Sequence, residues 1–195
     1  MSFEQKDSCV VARLVHDNRS VRRFEQSRPL TEQTLRELVE LARLTPCHRN
    51  AQQLRFRLVS AAGEMEAIFP HLTFGAALGA EGRPREGQRP AAYIVVATEA
   101  EAIPFLWCDV GAACQSMLLG ACARGLSGCI LGGIKREAVA QALALPPGLQ
   151  ILAVLALGYP AERVVLEPAR EGQLKYWRER EEHHVPKLGL DDIII

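Results

Sequence analysis

Hydrophobic and polar positions divide this chain into alternating helical and extended stretches. Residues 6–16 read as a first helix ending near Asp17-Asn18. Leu35, Leu38, Val39 and Ala42 recur at the spacing of one helix face, so a second helix spans about residues 31–44. Thr31 is suited to cap it, Glu32 favours its dipole, and Pro46 stands past its end. Leu54-Arg55-Phe56-Arg57-Leu58-Val59 alternates apolar and basic residues, the mark of a strand with one buried face. Residues 91–97 and 150–157 are short apolar runs and read as buried strands.

The longest helix candidate covers residues 109–124, with Gly125 as its stop. It is apolar nearly all round, which suits a large core or a subunit interface. Residues 136–145 read as a helix ended by Pro146-Pro147. Between the first strand and the first buried run, Met65, Ile68, Phe69, Leu72 and Phe74 suggest one or two short helices. The stretch from Gly79 to Gly87, rich in glycine and charge, is expected to be an exposed, mobile loop.

With 195 residues, one domain covering residues 1–195 is the default, and 48% hydrophobic residues suffice for a filled core. Lys+Arg and Asp+Glu are 23 each, a balance that offers nothing to nucleic acid. No apolar run reaches the length of a membrane span. Acidic residues sit among the first seven, where a signal peptide would be basic, so no leader is expected. The six cysteines form no Cys-x-x-Cys pair, and four lie in or beside alanine- and leucine-rich sequence. A reduced, cytoplasmic protein without a disulfide framework or metal centre is expected.

Three arginines fall within Arg19-Ser20-Val21-Arg22-Arg23, directly after the first helix. Guanidinium forks match phosphate, and a hydroxyl with backbone N–H groups completes an anion cradle. A solvated basic turn is the alternative. Further on, Pro46-Cys47-His48-Arg49-Asn50-Ala51-Gln52 is a polar loop, and Gly132-Gly133 allows a close approach to the backbone. An Asx-turn and a plain strand–turn–helix corner are the structural alternatives there. No Ser-His-Asp set, metal cluster or carboxylate pair stands out as catalytic machinery. Adjacent His183 and His184 are poorly spaced to share a metal.

Four blocks, in order, resemble the nitroreductase family of flavoproteins. Arg19-Ser20-Val21-Arg22-Arg23-Phe24 is similar to its N-terminal signature, with Asn18 where an arginine is common. The loop at 46–52 is similar to the family's Pro-Ser-x-x-Asn-x-Gln segment, with Cys47 in place of serine. The glycine pair and Leu157-Gly158-Tyr159-Pro160-Ala161-Glu162 follow, and Lys187 stands where the family carries a basic residue near its C-terminus, with Leu188 at a second such position. The resemblance implies an α+β fold, a mixed sheet flanked by helices, and a homodimer binding FMN at its interface. It implies FMN contacts from Arg19, Ser20, Arg22, Pro46, Cys47, His48, Asn50, Gln52, Gly132, Gly133 and Lys187. In that family the 46–52 loop lies against the flavin, the glycine turn faces flavin N5, and cations reach the phosphate.

The implied activity is reduction of nitroaromatic, quinone or related acceptors with NADH or NADPH, by ping-pong hydride transfer through FMN. Two other readings stay open. One is a specialised family reaction, such as dehydrogenation, dehalogenation or flavin breakdown. The other is a protein that stores or senses flavin without turnover.

Overall fold

A computed structural model describes residues 9–99, 105–170 and 172–195. Its centre is a four-stranded sheet of β1 (Leu54–Val59), β2 (Ala92–Thr98), β3 (Ser127–Leu131) and β4 (Gln150–Gly158). The spatial order is β1-β2-β4-β3, and every neighbouring pair is antiparallel.

Helices cover both faces of this sheet, which explains why β2 and β4 are almost wholly apolar. Successive side chains point to opposite faces. Ile94, Val96, Leu155 and Leu157 therefore join one core with Leu35, Leu38, Val110 and Met117. Those partners come from α2 (Glu32–Leu44) and α4 (Leu106–Cys122). Tyr93, Val95, Val154 and Ala156 join the other core with Ile68 and Val139. Ile68 belongs to α3 (Ala62–Ile68) and Val139 to α5 (Arg136–Ala142). Emptying one such position, Met117→Ala for example, is of the kind that costs about 2–5 kcal/mol.

The capping expectation for α2 holds: the Thr31 hydroxyl accepts the Thr34 N–H at 3.1 Å. The long helix begins at Leu106, three residues earlier than the pattern suggested, and Asp109 sits in its first turn. Gly125, at φ +71°, ends it in the left-handed turn that favours glycine. The first helix is α1 (Val10–Asp17), which buries no residue; positions 6–8 of the expected span lie outside the described residues.

The C-terminal third adds a small second sheet, ordered β5-β7-β6. Here β5 (Arg163–Pro168) runs parallel to β7 (Glu182–Lys187), and β6 (Trp177–Glu179) runs antiparallel to it. The mixed strand directions are thus confined to this sheet. The whole is α+β, as expected.

The Gly79–Gly87 stretch is less free than its composition suggests. Gly82 and Pro84 are buried, and a Cβ at Gly82 would meet the Gly75 carbonyl at 2.4 Å. Glu81 pairs with Arg23 at 3.3 Å, and the Arg83 guanidinium lies 4.3 Å from the centre of the Phe69 ring. Charged residues here serve as ties to the body of the protein, which composition alone does not reveal. Phe74 is a core residue beside Phe69, with ring centres 5.7 Å apart.

Candidate functional site

The segment after α1 runs beside β3: Ser20 and Gly128 form a parallel bridge, and the Val21 N–H donates to the Gly128 carbonyl at 3.1 Å. This places Arg19, Ser20 and Arg22 along one wall of a cavity of about 360 Å³. β7 supplies another wall. Its residues 183, 185 and 187 alternate onto one face, so His183, Val185 and Lys187 all line the space. Asn18, Gln115 of α4 and Tyr176 complete the polar part of the lining.

No carboxylate lines this cavity, whereas three permanent cations do. Arg19, Arg22 and Lys187 make no ion pair among the described residues. Arg19 Nη2 donates to the Val15 carbonyl at 2.5 Å, but its Nε is buried without a partner. Burial lowers the Arg19 pKa, opposed by the Asp17 carboxylate. Arg19 and Arg22 are part-buried and Lys187 is exposed at the rim, and cations lining one space without counter-charges favour an anion in their midst. The Arg23 guanidinium, by contrast, is occupied by Glu81 and Glu181, both at 3.3 Å. One arginine of the cluster is therefore structural.

The backbone of the cluster is fixed from the far end of the main sheet. Glu162 Oε1 accepts the N–H groups of Arg22 and Arg23 at 2.5 and 3.2 Å, while its Oε2 meets Arg178 Nη2 at 2.6 Å. Phe24 is fully buried against Gly158, where a Cβ would come within 2.9 Å of the phenylalanine ring. The Ala161 N–H donates to the Arg23 carbonyl, and the Glu25 N–H to that of Tyr159. The first and last sequence blocks are thus a single structural unit.

A second group of predicted residues forms another cavity, of about 580 Å³, between α2, β1 and α4. Pro46, Cys47, Asn50 and Gln52 line it, together with Asp109. Arg49, Asn50 and Gln52 have φ values of +52°, +53° and +48°, unusual for residues with side chains. Such backbone persists where its surroundings hold it. Here Asp109 Oδ1 accepts the His48 N–H at 2.8 Å, the Cys47 sulfur accepts the Gln52 N–H at 3.4 Å, and the His48 ring stacks on Phe105 at 4.7 Å. Cysteine thus takes a local capping role that a serine hydroxyl could also fill.

His48, Gly132 and Gly133 line neither cavity. His48 faces Phe105. The group that approaches Gly133 closely is Thr73: its N–H donates to the Gly133 carbonyl at 2.8 Å, and a Cβ on the glycine would lie 2.8 Å from the Thr73 Cβ. Gly132 has open space around its Cα.

The nitroreductase family model matches residues 15–159, about three-quarters of the chain. The chain belongs to the nitroreductase family. That membership makes it an oxidoreductase. A protein of Archaeoglobus fulgidus, named as a candidate NADH dehydrogenase/NAD(P)H nitroreductase, is 25% identical over 158 residues, covering 77% of this chain and 85% of that one. Among solved structures, a mutant of an FMN- and NADPH-dependent nitroreductase from sphigopyxis sp. strain HMH superposes with a TM-score of 0.66 at 20% identity, over 94% of this chain and 97% of that one. A nitroreductase family protein from Clostridium novyi NT gives 0.62 at 19%, over 82% and 87%. These superpositions establish the shared fold.

Sequence reasoning missed Asp109 and Gln115 as members of the cavities, and the anchoring role of Glu162. Asp109 was legible only as part of a helix, and Gln115 as a polar break in an apolar one. Glu162 was legible as a motif residue but not as the anchor of a segment 140 positions away. Of the paired histidines, only His183 faces the cation cavity. His184 points to the other face of β7, where Nδ1 meets Glu167 at 2.8 Å and the ring stacks on Trp177. The six cysteines are free; burial pushes Cys114 and Cys129 up to about 12, so both stay protonated.

Proposed function

We propose that the protein is an FMN-dependent oxidoreductase that takes electrons from NADH or NADPH and delivers them to nitroaromatic, quinone or related small acceptors. The observation that carries this reading is the cation cavity: Arg19, Arg22 and Lys187 converge on a space with no carboxylate in its lining. That donor set fits the phosphate of a flavin nucleotide. Within it, Ser20 adds a hydroxyl and the Arg19 Nε an unused donor. FMN, when bound, supplies the redox chemistry, and the protein supplies binding, orientation and electrostatics.

Asn50 and Gln52 carry amides, which donate and accept and so suit the edge of a flavin ring. In one chain they line a different cavity from the cations. A homodimer supports the full site, because a second copy can bring its 46–52 loop to the cation cavity of the first. One shared site for donor and acceptor gives ping-pong kinetics, with parallel double-reciprocal lines. No metal enters this reading: among the described residues no three His, Cys, Asp or Glu side chains gather as metal ligands.

The test is a flavin titration followed by addition of each pyridine nucleotide. The parent is expected to bind FMN and to lose its flavin absorbance with NADH or NADPH. Replacing Arg19 and Arg22 together by Ala should weaken FMN binding at least tenfold, about 1.4 kcal/mol. Unchanged FMN affinity in that double variant would refute the phosphate assignment. A storage protein would bind FMN and consume no pyridine nucleotide.

A further inference from the structure

His183 is fully buried, and neither ring nitrogen has a hydrogen-bond partner among the described residues. A neutral imidazole carries one donor and one acceptor, and burying either unused costs about 1–3 kcal/mol. Its position is dictated by strand geometry: it shares the cavity-facing side of β7 with Val185 and Lys187, while His184 on the opposite side meets Glu167 through Nδ1 and stacks on Trp177. His183 therefore stands at the wall of the cation cavity with unused hydrogen-bonding capacity. A core position would have been filled more favourably by leucine.

Resting on the reading of this cavity as the flavin nucleotide site, we infer that His183 is a hydrogen-bonding ligand of the bound FMN. The cavity brings an anionic, hydroxyl-rich molecule to a side chain that can donate from one nitrogen and accept at the other. Burial, helped by the surrounding cations, keeps that side chain neutral and ready for both roles. Burial lowers its pKa to about 4, and Arg22, Arg178, His184 and Arg23 act in the same direction. Tyr176 stands edge-on to the imidazole, with ring centres 5.2 Å apart, and closes it off. Tyr176 is only half-buried and precedes the short strand β6, so a rotation of its side chain opens the path. The Arg22 guanidinium lies 5.8 Å from the Tyr176 ring centre.

The test compares FMN and riboflavin binding to the full-length parent and to His183→Leu and His183→Gln. Leucine removes both hydrogen-bonding atoms, whereas glutamine keeps a donor and an acceptor. His183→Leu is expected to bind FMN about tenfold more weakly, and His183→Gln to recover most of that loss. A deficit seen with FMN alone places the contact on the phosphate; one seen with both ligands places it on the rest of the molecule. In the parent itself, the ring ¹⁵N resonances of His183 should move when FMN is added at constant pH. Equal FMN affinity of parent and leucine variant, equal losses in the leucine and glutamine variants, or stationary ring resonances with FMN bound would each overturn the inference while leaving the FMN reading intact. A parent that binds no FMN would instead remove the reading, and the inference with it.

Discussion

Glu162 Oε1 lies 2.5 Å from the backbone nitrogen of Arg22, a contact that joins the end of the main sheet to the turn carrying the cations. The same carboxylate pairs with Arg178, and both side chains are nearly inaccessible to solvent. Removing one partner of a buried pair strands the other charge and typically costs about 3–5 kcal/mol. Glu162→Ala should therefore destabilise the protein by about that amount in urea denaturation. Glu162→Gln retains an oxygen for the two N–H groups but sets an uncharged NH2 against Arg178, so it keeps the cost of the broken ion pair and should recover only the part of the loss that belongs to the backbone contacts. Equal losses would show that the backbone contacts are dispensable and that only the ion pair matters.

Much of this unit is legible in the sequence, though only as separate blocks. Strand and helix patterns locate β2 and β4 because two-sided burial leaves apolar runs, β1 by its alternation, α2 by one apolar face and α4 by its nearly all-round apolar surface. The small sheet is hidden because its strands are short, half-exposed and charged, so alternation is weak. Arg19 and Lys187 are visible as basic residues, but which arginine is spent on structure is not. Arg23 is consumed by Glu81 and Glu181, whose positions in two distant loops no local pattern links to it. The His183–His184 pair reads as one feature in sequence, and the strand turns it into two unrelated ones.

Asp109 should behave as the anchor of the 46–52 loop. Its carboxylate holds the His48 N–H at 2.8 Å next to three residues with left-handed backbone. A hydrogen bond to a charged group is worth about 1.5–3 kcal/mol. Asp109→Ala should cost about that much stability and speed amide hydrogen exchange at His48, Asn50 and Ala51. Asp109→Asn keeps an acceptor oxygen and should retain most of the protection. If exchange in the alanine variant matched the parent, the loop would be held by its own internal contacts.

The protein should form a homodimer. Along α4, Cys108, Gly111 and Gln115 are exposed at helical spacing, beside exposed Phe105 and Trp107. The C-terminal Leu190, Ile193, Ile194 and Ile195 are exposed as well. Apolar surface gathered on one helix and one tail marks an association surface, and small residues on α4 let another backbone come close. Light scattering over a dilution series should give twice the chain mass of 21.5 kDa at micromolar concentration. Replacing Trp107 by Glu should shift the equilibrium towards monomer. A monomer at every concentration would refute the prediction.

The last prediction concerns pH and the flavin-free protein. His183 titrates at about 4 in the folded state, chiefly through burial, with Arg22, Arg178, His184 and Arg23 adding to the shift. In the unfolded chain an ordinary histidine titrates near 6.5. Between these values the unfolded state binds the proton that the folded state refuses, so stability rises with pH across the window. The contribution of a neutral His183 is complete above about pH 6.5, declines as pH falls towards 4, and changes no further below that. The whole loss is up to about 3 kcal/mol. Carboxylates titrate in the same region, so the informative quantity is the difference between the parent and His183→Leu. Urea denaturation midpoints, converted to free energies at pH 4.5, 5.5 and 7.0, should show the parent falling relative to the variant as the solution becomes more acidic. Parallel curves for the two proteins would mean that His183 takes up a proton in the folded state as readily as in the unfolded chain, with the surrounding cations and burial having no net effect on it.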